Sequence, residues 1–347
     1  MKYIVFFILL SCSWNHKDFE KSLKKEVKTI EPKVEVDSTL LEKFEVKEET
    51  PEIEETATTP KVEEKKAVPI PAKTEKKTIK PVVKKEKKEV PVKKSTKLPE
   101  DYPQDLIAIE KKAAEVWKLY KPNHTAGDQV ILNINYLGMT VGKIMFTNNG
   151  KKMINDKEVW HLHARFKSAP FYSRIYELDD TVDTYVTTDE FLSTRYSLIQ
   201  RESKQDIDDL QLHDRDQLKT FWFYKRVTKE KTREKKDEKY ITYHSLDPFS
   251  VVFFYQGLPL NDGDTYEIPL INKAKILIFK SVVEGREEIK TSRGRKKAIK
   301  VHATTQYSGD HLKSGELFFW FSDDESRTLL KVQAKIKIGS VTAEIVD

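Results

Sequence analysis

The sequence is poor in cysteine, glycine and arginine, and each scarcity restricts what the chain can be. One cysteine, Cys12, stands among 347 residues, so no disulfide can form within the chain. No glycine precedes Gly127 and no arginine precedes Arg165. No apolar run approaches the roughly 20 residues that a transmembrane helix needs. A folded part of this protein must therefore stand on its own hydrophobic core.

The first twelve residues predict export and a lipid anchor. Lys2, an apolar run over 3–10 and Ser11 before Cys12 have the order of a signal peptide, and Leu9 to Cys12 resembles a bacterial lipobox. We predict a signal peptide over 1–11 and cleavage before a lipidated Cys12, which excludes thiol catalysis. Acyl chains at roughly 0.8 kcal/mol per buried methylene hold a protein in a bilayer. Ser13 after the cysteine resembles lipoproteins of the outer membrane, which predicts its periplasmic face as the location.

Residues 12–100 have the composition of a disordered tether. Lys and Glu alternate with Pro, and the aromatics of 13–99 are only Trp14, Phe19 and Phe44. Such a segment cannot offset the entropy of ordering. About 85 residues at roughly 3.1 Å each would reach about 260 Å at most. We predict a spacer, with binding of its Lys blocks to anionic cell-wall polymers or lipid head groups as the alternative.

The charge distribution does not favour a nucleic-acid partner. Residues 1–100 hold 23 Lys and 19 acidic residues, and residues 101–347 hold 39 basic and 37 acidic residues. The basic excess therefore belongs mostly to the tether. A nucleic-acid-binding domain would need a strongly basic folded face, so none is predicted.

Residues 101–347 predict one mainly β domain. Apolar residues at three- and four-residue spacing predict an amphipathic helix over 103–120, opened by Pro103. From Gly127 onward the apolar period becomes two, and segments such as Asn148-Asn149-Gly150 supply turns. The pattern predicts a curled antiparallel sheet or an open or closed β-barrel, on which the helix packs.

Five stretches of this domain resemble one known family. They are, in order, "NINYLGMTVGKIMF", "DDTVDTYVTTDEFLSTRYS", "DPFSVVFFYQGLPLNDGDTYEIPL", "VVEGREEIKTSRGRKKAIKV" and "FFWFSDDESRTLLKVQAKIKIGSVTAEI". Over roughly 127–347 the chain is similar to the envelope-protein family catalogued as domain of unknown function 3108. The resemblance implies an exported Gram-negative protein with a curled β-sheet. It implies no activity, because none belongs to the family as a class.

Histidines and carboxylates offer candidate chemistry. His161 and His163 stand at i and i+2 of a predicted strand, so both rings point to one face and can begin a Zn²⁺ or Cu²⁺ site. No third ligand is evident, so we predict surface histidines and no metal. The remaining candidates are carboxylates for acid–base work, with a structural role preferred: Asp179, Asp180, Asp183, Asp323, Asp324 and Glu325.

Consecutive aromatic residues place large rings on both faces of the predicted sheet. One face is core, and the other must meet the helix and loops, an apolar ligand or a docked protein. The predicted ligand-binding residues are Trp222, Tyr224, Phe254 and Trp320.

The sequence thus predicts a non-enzymatic binding or assembly role in the cell envelope, with no catalytic residue and no cofactor. The predicted partners are the membrane, through the lipid, and an apolar ligand, a cell-wall glycan or an envelope protein. The alternative is a hydrolase of envelope glycan or lipid that uses Asp180 or Asp324. An enzyme needs a pocket with converging titratable groups, and a carrier needs a dry apolar cavity.

Overall fold

The computed structural model describes residues 30–48, 98–292, 294–307, 313–336 and 339–346. The chain divides into two compact units, residues 1–49 together with 100–347, and residues 50–99. The predicted signal peptide, the predicted lipid attachment at Cys12 and most of the predicted tether lie outside the described residues.

The described elements are mainly strands. The helices are α1 (Ser38–Lys43), α2 (Gln104–Trp117), α3 (Pro170–Ser173) and α4 (Ser250–Phe254), with a 3₁₀ turn at Tyr255–Gly257. The strands are β1 (Lys47–Glu48), β2 (Gln129–Tyr136), β3 (Met139–Ile154), β4 (Lys157–Ser168), β5 (Asp179–Thr187), β6 (Ser193–Glu202), β7 (Gln205–Asp214), β8 (Lys219–Val227), β9 (Thr232–Tyr240), β10 (Thr265–Asn272), β11 (Lys275–Thr291), β12 (Gly294–Tyr307), β13 (Lys313–Ser322), β14 (Leu329–Lys335) and β15 (Ser340–Ile345).

These strands form one curled antiparallel sheet that is not closed, which confirms the predicted fold class. Its order is β10-β11-β12-β13-β14-β15-β2-β3-β4-β5-β6-β7-β8-β9, with β1 added beside β3. Within the described part of the chain, β9 and β10 are the two edges and are not paired with each other. Bulges in β3 and β11 add local twist, the latter at Gly285 with φ of 134°. This twist helps a long sheet to curl towards a barrel.

Cross-strand register assigns side chains to two faces. Ala164, Val182, Leu198, Asp209 and Tyr224 lie opposite one another on successive strands β4 to β8, so they share one face, the inner face. The same pairings put the neighbouring ladder on the outer face: His163, Asp183, Ser197, Leu210 and Phe223.

The inner face packs against the protein's own helices. The predicted helix is confirmed as α2, and its Ala113 and Trp117 lie in the main core cluster with Phe254 of α4. The close contact of α2's end with the 3₁₀ turn needs Gly257, because a Cβ there would lie 2.4 Å from the carbonyl oxygen of Lys121. Burial of these rings supplies much of the stabilising free energy, at roughly 25 cal/mol per Å² of apolar surface.

The outer face of β4–β8 is covered by residues 30–48, here called the N-terminal strap. Phe44 is 3% exposed and packs in a second core cluster with Tyr185 and Leu210. Asp37 caps α1 by accepting from the backbone N–H of Thr39, at 3.0 Å. The prediction of a disordered tether is therefore wrong for the strap. Its apolar residues pack against a sheet face that composition does not reveal: Val34, Val36, Leu40, Phe44 and Val46.

No helix in the described ranges is long and apolar enough to cross a membrane.

Candidate functional site

Two of the four predicted binding aromatics lie together on the inner face of β8. The ring centroids of Trp222 and Tyr224 are 5.8 Å apart, and both side chains are partly exposed. Their cross-strand partners on β7 are Gln211 and Asp209. Lys273 adds an ammonium group 5.3 Å from the Tyr224 ring centroid. We call these five residues the seam site, because they lie beside the gap between the two sheet edges.

Hydrogen bonds fix the polar groups of the seam site. Asp209 accepts from the indole N–H of Trp222 at 3.2 Å and from the side-chain amide of Gln211 at 3.1 Å. The Lys273 ammonium lies 3.9 Å from the same carboxylate. Asp209 is 1% exposed, and this burial raises its pKa to about 6, although Lys273 and the two hydrogen bonds oppose the shift. The site therefore combines an oriented carboxylate with accessible aromatic rings.

A tight turn brings Lys273 to this place. Lys273 and Ala274 both have φ of 54°, the left-handed conformation of a two-residue hairpin between β10 and β11. The backbone N–H of Lys273 donates to Gln211 at 2.8 Å, so the tip of the hairpin reaches across the gap to β7. On the other side of this turn, Lys275 lines a cavity of about 850 Å³ with Leu106 and Tyr240. The two sheet edges are thus connected by this turn and by backbone hydrogen bonds of Leu246 with Pro269 and Ile271 of β10, rather than by a ladder between β9 and β10.

The other two predicted binding residues lie elsewhere. Phe254 was assigned to a run of aromatics on a strand, but it is helical and 0% exposed. Its ring stacks on Tyr120 at 4.5 Å and contacts Trp117 at 4.6 Å, so it is a core residue. No single groove therefore joins all four predicted residues.

Trp320 lies on β13, in what we call the lysine-covered patch. The ammonium groups of Lys300 and Lys331 lie 5.8 and 5.1 Å from its ring centroid. The neighbouring Phe318 stacks on His302 at 4.5 Å. Trp320 is only 5% exposed, so these side chains already occupy the surface that a ligand would use.

The two carboxylates of the predicted hydrolase have different environments. Asp180 is 5% exposed, and burial, reinforced by the nearby charge of Glu202, raises its pKa to about 6. Gln200 donates to Asp180 at 3.0 Å and to Glu202 at 3.2 Å, so the two acids share one amide. Asp324 instead accepts from Ser326 and Ser322 in a turn, and these bonds lower its pKa. Asp324 thus has the structural role that the sequence favours.

His161 and His163 are not surface residues, contrary to the sequence-based prediction. They are 3% and 2% exposed, because the outer face that carries them is buried. His161 Nε2 lies 2.6 Å and His163 Nδ1 lies 2.8 Å from the same oxygen of Asp183. Burial would raise the pKa of Asp183, but the bonds to both imidazoles outweigh it and lower the pKa to about 2.

Sequence reasoning missed Asp209, Gln211 and Lys273. The run "DDLQLHD" alternates polar and apolar residues as a strand should, but polar residues facing a barrel interior look the same as solvent-facing ones. Lys273 is separated from β7 by about 60 residues, and no local pattern indicates that contact.

A family model matches residues 132–346. It describes a protein of unknown function, DUF3108. The chain belongs to this family. The match covers the sheet from β2 to β15 and leaves α2 and the strap outside it. No curated protein matches the chain.

Two solved structures are similar in part. One is a β-barrel-like protein of the DUF1849 family from Brucella abortus, with 9% identity, a TM-score of 0.43, and coverage of 65% of this chain and 97% of that chain. The other is a candidate lipoprotein from Parabacteroides distasonis ATCC 8503, with 9% identity, a TM-score of 0.30, and coverage of 65% and 95%. The family match, not these likenesses, is what identifies the chain.

Proposed function

We propose that this DUF3108 protein is a lipoprotein of the outer membrane that binds a cell-wall glycan at the seam site. The lipobox-like sequence ending at Cys12 supports the anchor, and the periplasmic face is the side on which a cell-wall polymer is met. The role is non-enzymatic: the domain holds the polymer and thereby connects it to the membrane.

The observation that carries the proposal is the pairing of partly exposed aromatic rings with a buried, oriented carboxylate. The apolar C–H faces of sugar rings stack on aromatic rings such as Trp222 and Tyr224. The buried Asp209 and Gln211 hold the Trp222 indole in place, and Lys273, whose side chain is 48% exposed, supplies a donor for acetamido or carboxyl oxygens. Neither aromatic ring is part of the main core cluster, so neither is needed to fill the interior.

An apolar ligand fits less well. A carrier of acyl chains needs a dry cavity between the sheet and its helix, but α2 and α4 fill that space with their own side chains. Phe254 is 0% exposed and Trp117 is 8% exposed within this core. The described cavity is lined largely by charged residues, among them Asp101, Lys219 and Glu238.

The test is binding of soluble peptidoglycan fragments to the mature chain, followed by tryptophan fluorescence and calorimetry. We expect Trp222→Ala and Tyr224→Ala each to weaken binding by about fivefold to a hundredfold, since stacked rings contribute on the order of 1–3 kcal/mol each in the comparable stacking of bases on aromatic side chains. Trp320→Phe is the matched control, because Trp320 lies on the other side of the sheet under lysines. Equal binding by all variants would refute the seam site as the glycan site.

The anchor is tested separately by changing Cys12 to Ala. We expect the variant to lose acylation and to leave the membrane fraction, because the acyl chains on Cys12 are the proposed anchor. Unchanged fractionation of the variant would refute the anchor at Cys12, and the proposal of glycan binding at the seam site would not be affected.

A hydrolase of envelope glycan is the second candidate, and Asp180 beside Glu202 is the observation in its favour. A carboxyl group with a pKa near 6 suits a general acid, and a neighbouring carboxylate suits the partner role in glycoside cleavage. Under this alternative, Asp180→Asn abolishes release of reducing ends from peptidoglycan. If the unmodified protein releases no reducing ends, the hydrolase is refuted and glycan binding remains as the proposed role.

A further inference from the structure

A buried cluster under the N-terminal strap has the composition of a metal site. His161, His163 and Asp183 each offer one ligand atom, and these atoms lie within 4.8 Å of one another. All three residues are at most 3% exposed. The seam site lies on the opposite face of the sheet, so this cluster takes no part in the proposed glycan binding.

Strand register fixes the three side chains on rigid backbone. His163 on β4 stands directly opposite Asp183 on β5, and His161 is two residues away on the same face. Tyr185, opposite His161, stacks on its ring at 4.6 Å and holds the imidazole in place. Ligands on adjacent strands of a packed sheet are pre-organised, because neither backbone has to move to bring them together.

Two hydroxyl groups beside the cluster lack protein partners. Thr147 stands opposite His163 on β3, and Thr181 lies two residues before Asp183 on β5. The hydroxyl oxygens of both are buried and have no hydrogen-bond partner among the described residues. Buried polar atoms are nearly always paired, so two orphaned hydroxyls on this face indicate a missing polar occupant.

We propose that His161, His163 and Asp183 bind a divalent transition-metal ion of the Zn²⁺ class. Two imidazoles and one carboxylate form a donor set that Zn²⁺ prefers, with a fourth position for water. The orphaned threonine hydroxyls lie on the same face of the sheet as this donor set.

The observed contacts are close to what such an ion requires. Tetrahedral Zn²⁺ with bonds of about 2.0–2.1 Å separates neighbouring ligand atoms by about 3.3 Å. The imidazole nitrogens lie 2.6 and 2.8 Å from the Asp183 oxygen, so modest side-chain rotation makes room for the ion. The ion would replace the ring protons that now lie between the nitrogens and the carboxylate.

The strap explains how an ion would be retained there. Phe44 packs in the same cluster as Tyr185, and Arg195 donates to the carbonyl oxygen of Phe44 at 2.9 Å. Arg195 stands opposite Tyr185 on β6, next to the histidines on this face. A bound ion is therefore sealed from solvent, which predicts slow removal by chelators.

The test uses the full chain, purified without a polyhistidine tag, stripped with a chelator and titrated with Zn²⁺ alone. We expect one tightly bound equivalent by elemental analysis and a higher thermal midpoint with Zn²⁺ than without it. His163→Gln and Asp183→Asn should each remove the bound equivalent. His302→Gln is the matched control, since His302 also lies near two carboxylates, Glu284 and Glu316, at 3.5 and 3.7 Å.

Cobalt provides a readout that needs no variant to fold. A four-coordinate Co²⁺ ion bound by two imidazoles and a carboxylate gives visible absorption in the unmodified protein, and Zn²⁺ should displace it. No bound equivalent and no such absorption would overturn the proposal. Binding that persists in His163→Gln but disappears in His302→Gln would overturn it as well.

Discussion

Two regions of the outer face bury rings by different means. On β4–β8 a segment of backbone, the N-terminal strap, lies over the sheet, and His163 is 2% exposed beneath it. On β12–β14 the cover within the described residues consists of side chains: Lys300 and Lys331 extend over Trp320, and the His302 side chain remains 25% exposed. A backbone cover excludes water and makes buried polar groups depend on one another, whereas lysine stems shield rings and leave their charges solvated.

The largest expected effect comes from loosening the backbone cover. Phe44→Ala should lower the free energy of unfolding by about 3 kcal/mol, because a fully buried ring is lost from its cluster. Leu41→Ala, in α1 just before Phe44, is the control, because Leu41 is 37% exposed, and it should change stability by less than about 1 kcal/mol. Urea denaturation measures both. Similar small effects for the two variants would mean that the strap does not stabilise the domain.

The buried polar cluster should be next in sensitivity. Asp183→Ala in chelator-treated protein should lower the free energy of unfolding by about 2 kcal/mol, because two buried imidazoles lose their acceptor. Glu316→Ala removes a carboxylate 3.7 Å from His302 and should have almost no effect. An equal loss of unfolding free energy in both variants would show that the carboxylate under the strap contributes no more to stability than the carboxylate beside His302.

On the inner face, replacing a buried carboxylate should raise the free energy of unfolding, whereas the two substitutions on the outer face lower it. The pKa of Asp209 is raised by burial to about 6, so the folded protein binds its proton more tightly than the unfolded chain does. Stability from this group is therefore lost as pH rises from about 4 through 6. Asp209→Asn should raise stability at pH 7.5 by about 1–2 kcal/mol and have little effect at pH 4. Asp206→Asn, at an exposed position of the same strand, should be neutral at both pH values.

The smallest effect is expected for the side-chain cover. Lys331→Met keeps the apolar stem over Trp320 but removes the ammonium group, which also pairs with Glu344 at 2.7 Å. The loss should be about 0.5–1 kcal/mol and should shrink at high salt, as expected of exposed charges. Denaturation at low and high ionic strength measures it. A loss as large as that of Phe44→Ala would contradict the distinction between the two covers.

The sheet and α2 could be predicted from the sequence because each is encoded by the spacing of apolar residues along a short stretch of chain. The period of two after Gly127 and the apolar stripe of α2 follow from short-range spacing, and both are observed. The run around Phe254 misleads, because consecutive aromatics satisfy a buried helix as well as a strand. Composition likewise failed for the strap, since its few apolar residues become significant only when an outer sheet face is available to receive them.

The candidate sites depend on pairings that sequence cannot fix. "WHLHAR" and "DDTVD" each reveal ligand types, but the connection between β4 and β5 contains the short helix α3 rather than a tight turn. Register across such a connection is set by packing, and a shift of one residue would move Asp183 to the other face. Trp222 and Tyr224 were identified by their residue types, whereas Asp209 and Lys273 became visible only through tertiary contacts.

The docked strap also changes how far the domain can lie from the membrane. If Cys12 carries the lipid, only residues 13–29 separate the anchor from the first described residue of the strap. Eighteen peptide steps span at most about 60 Å. The Lys- and Glu-rich residues 49–97 come after β1 in the chain, so they add nothing to the distance between Cys12 and the strap. An anchor at Cys12 would therefore hold the strap, and the sheet on which it packs, close to the membrane surface rather than at the end of a long tether.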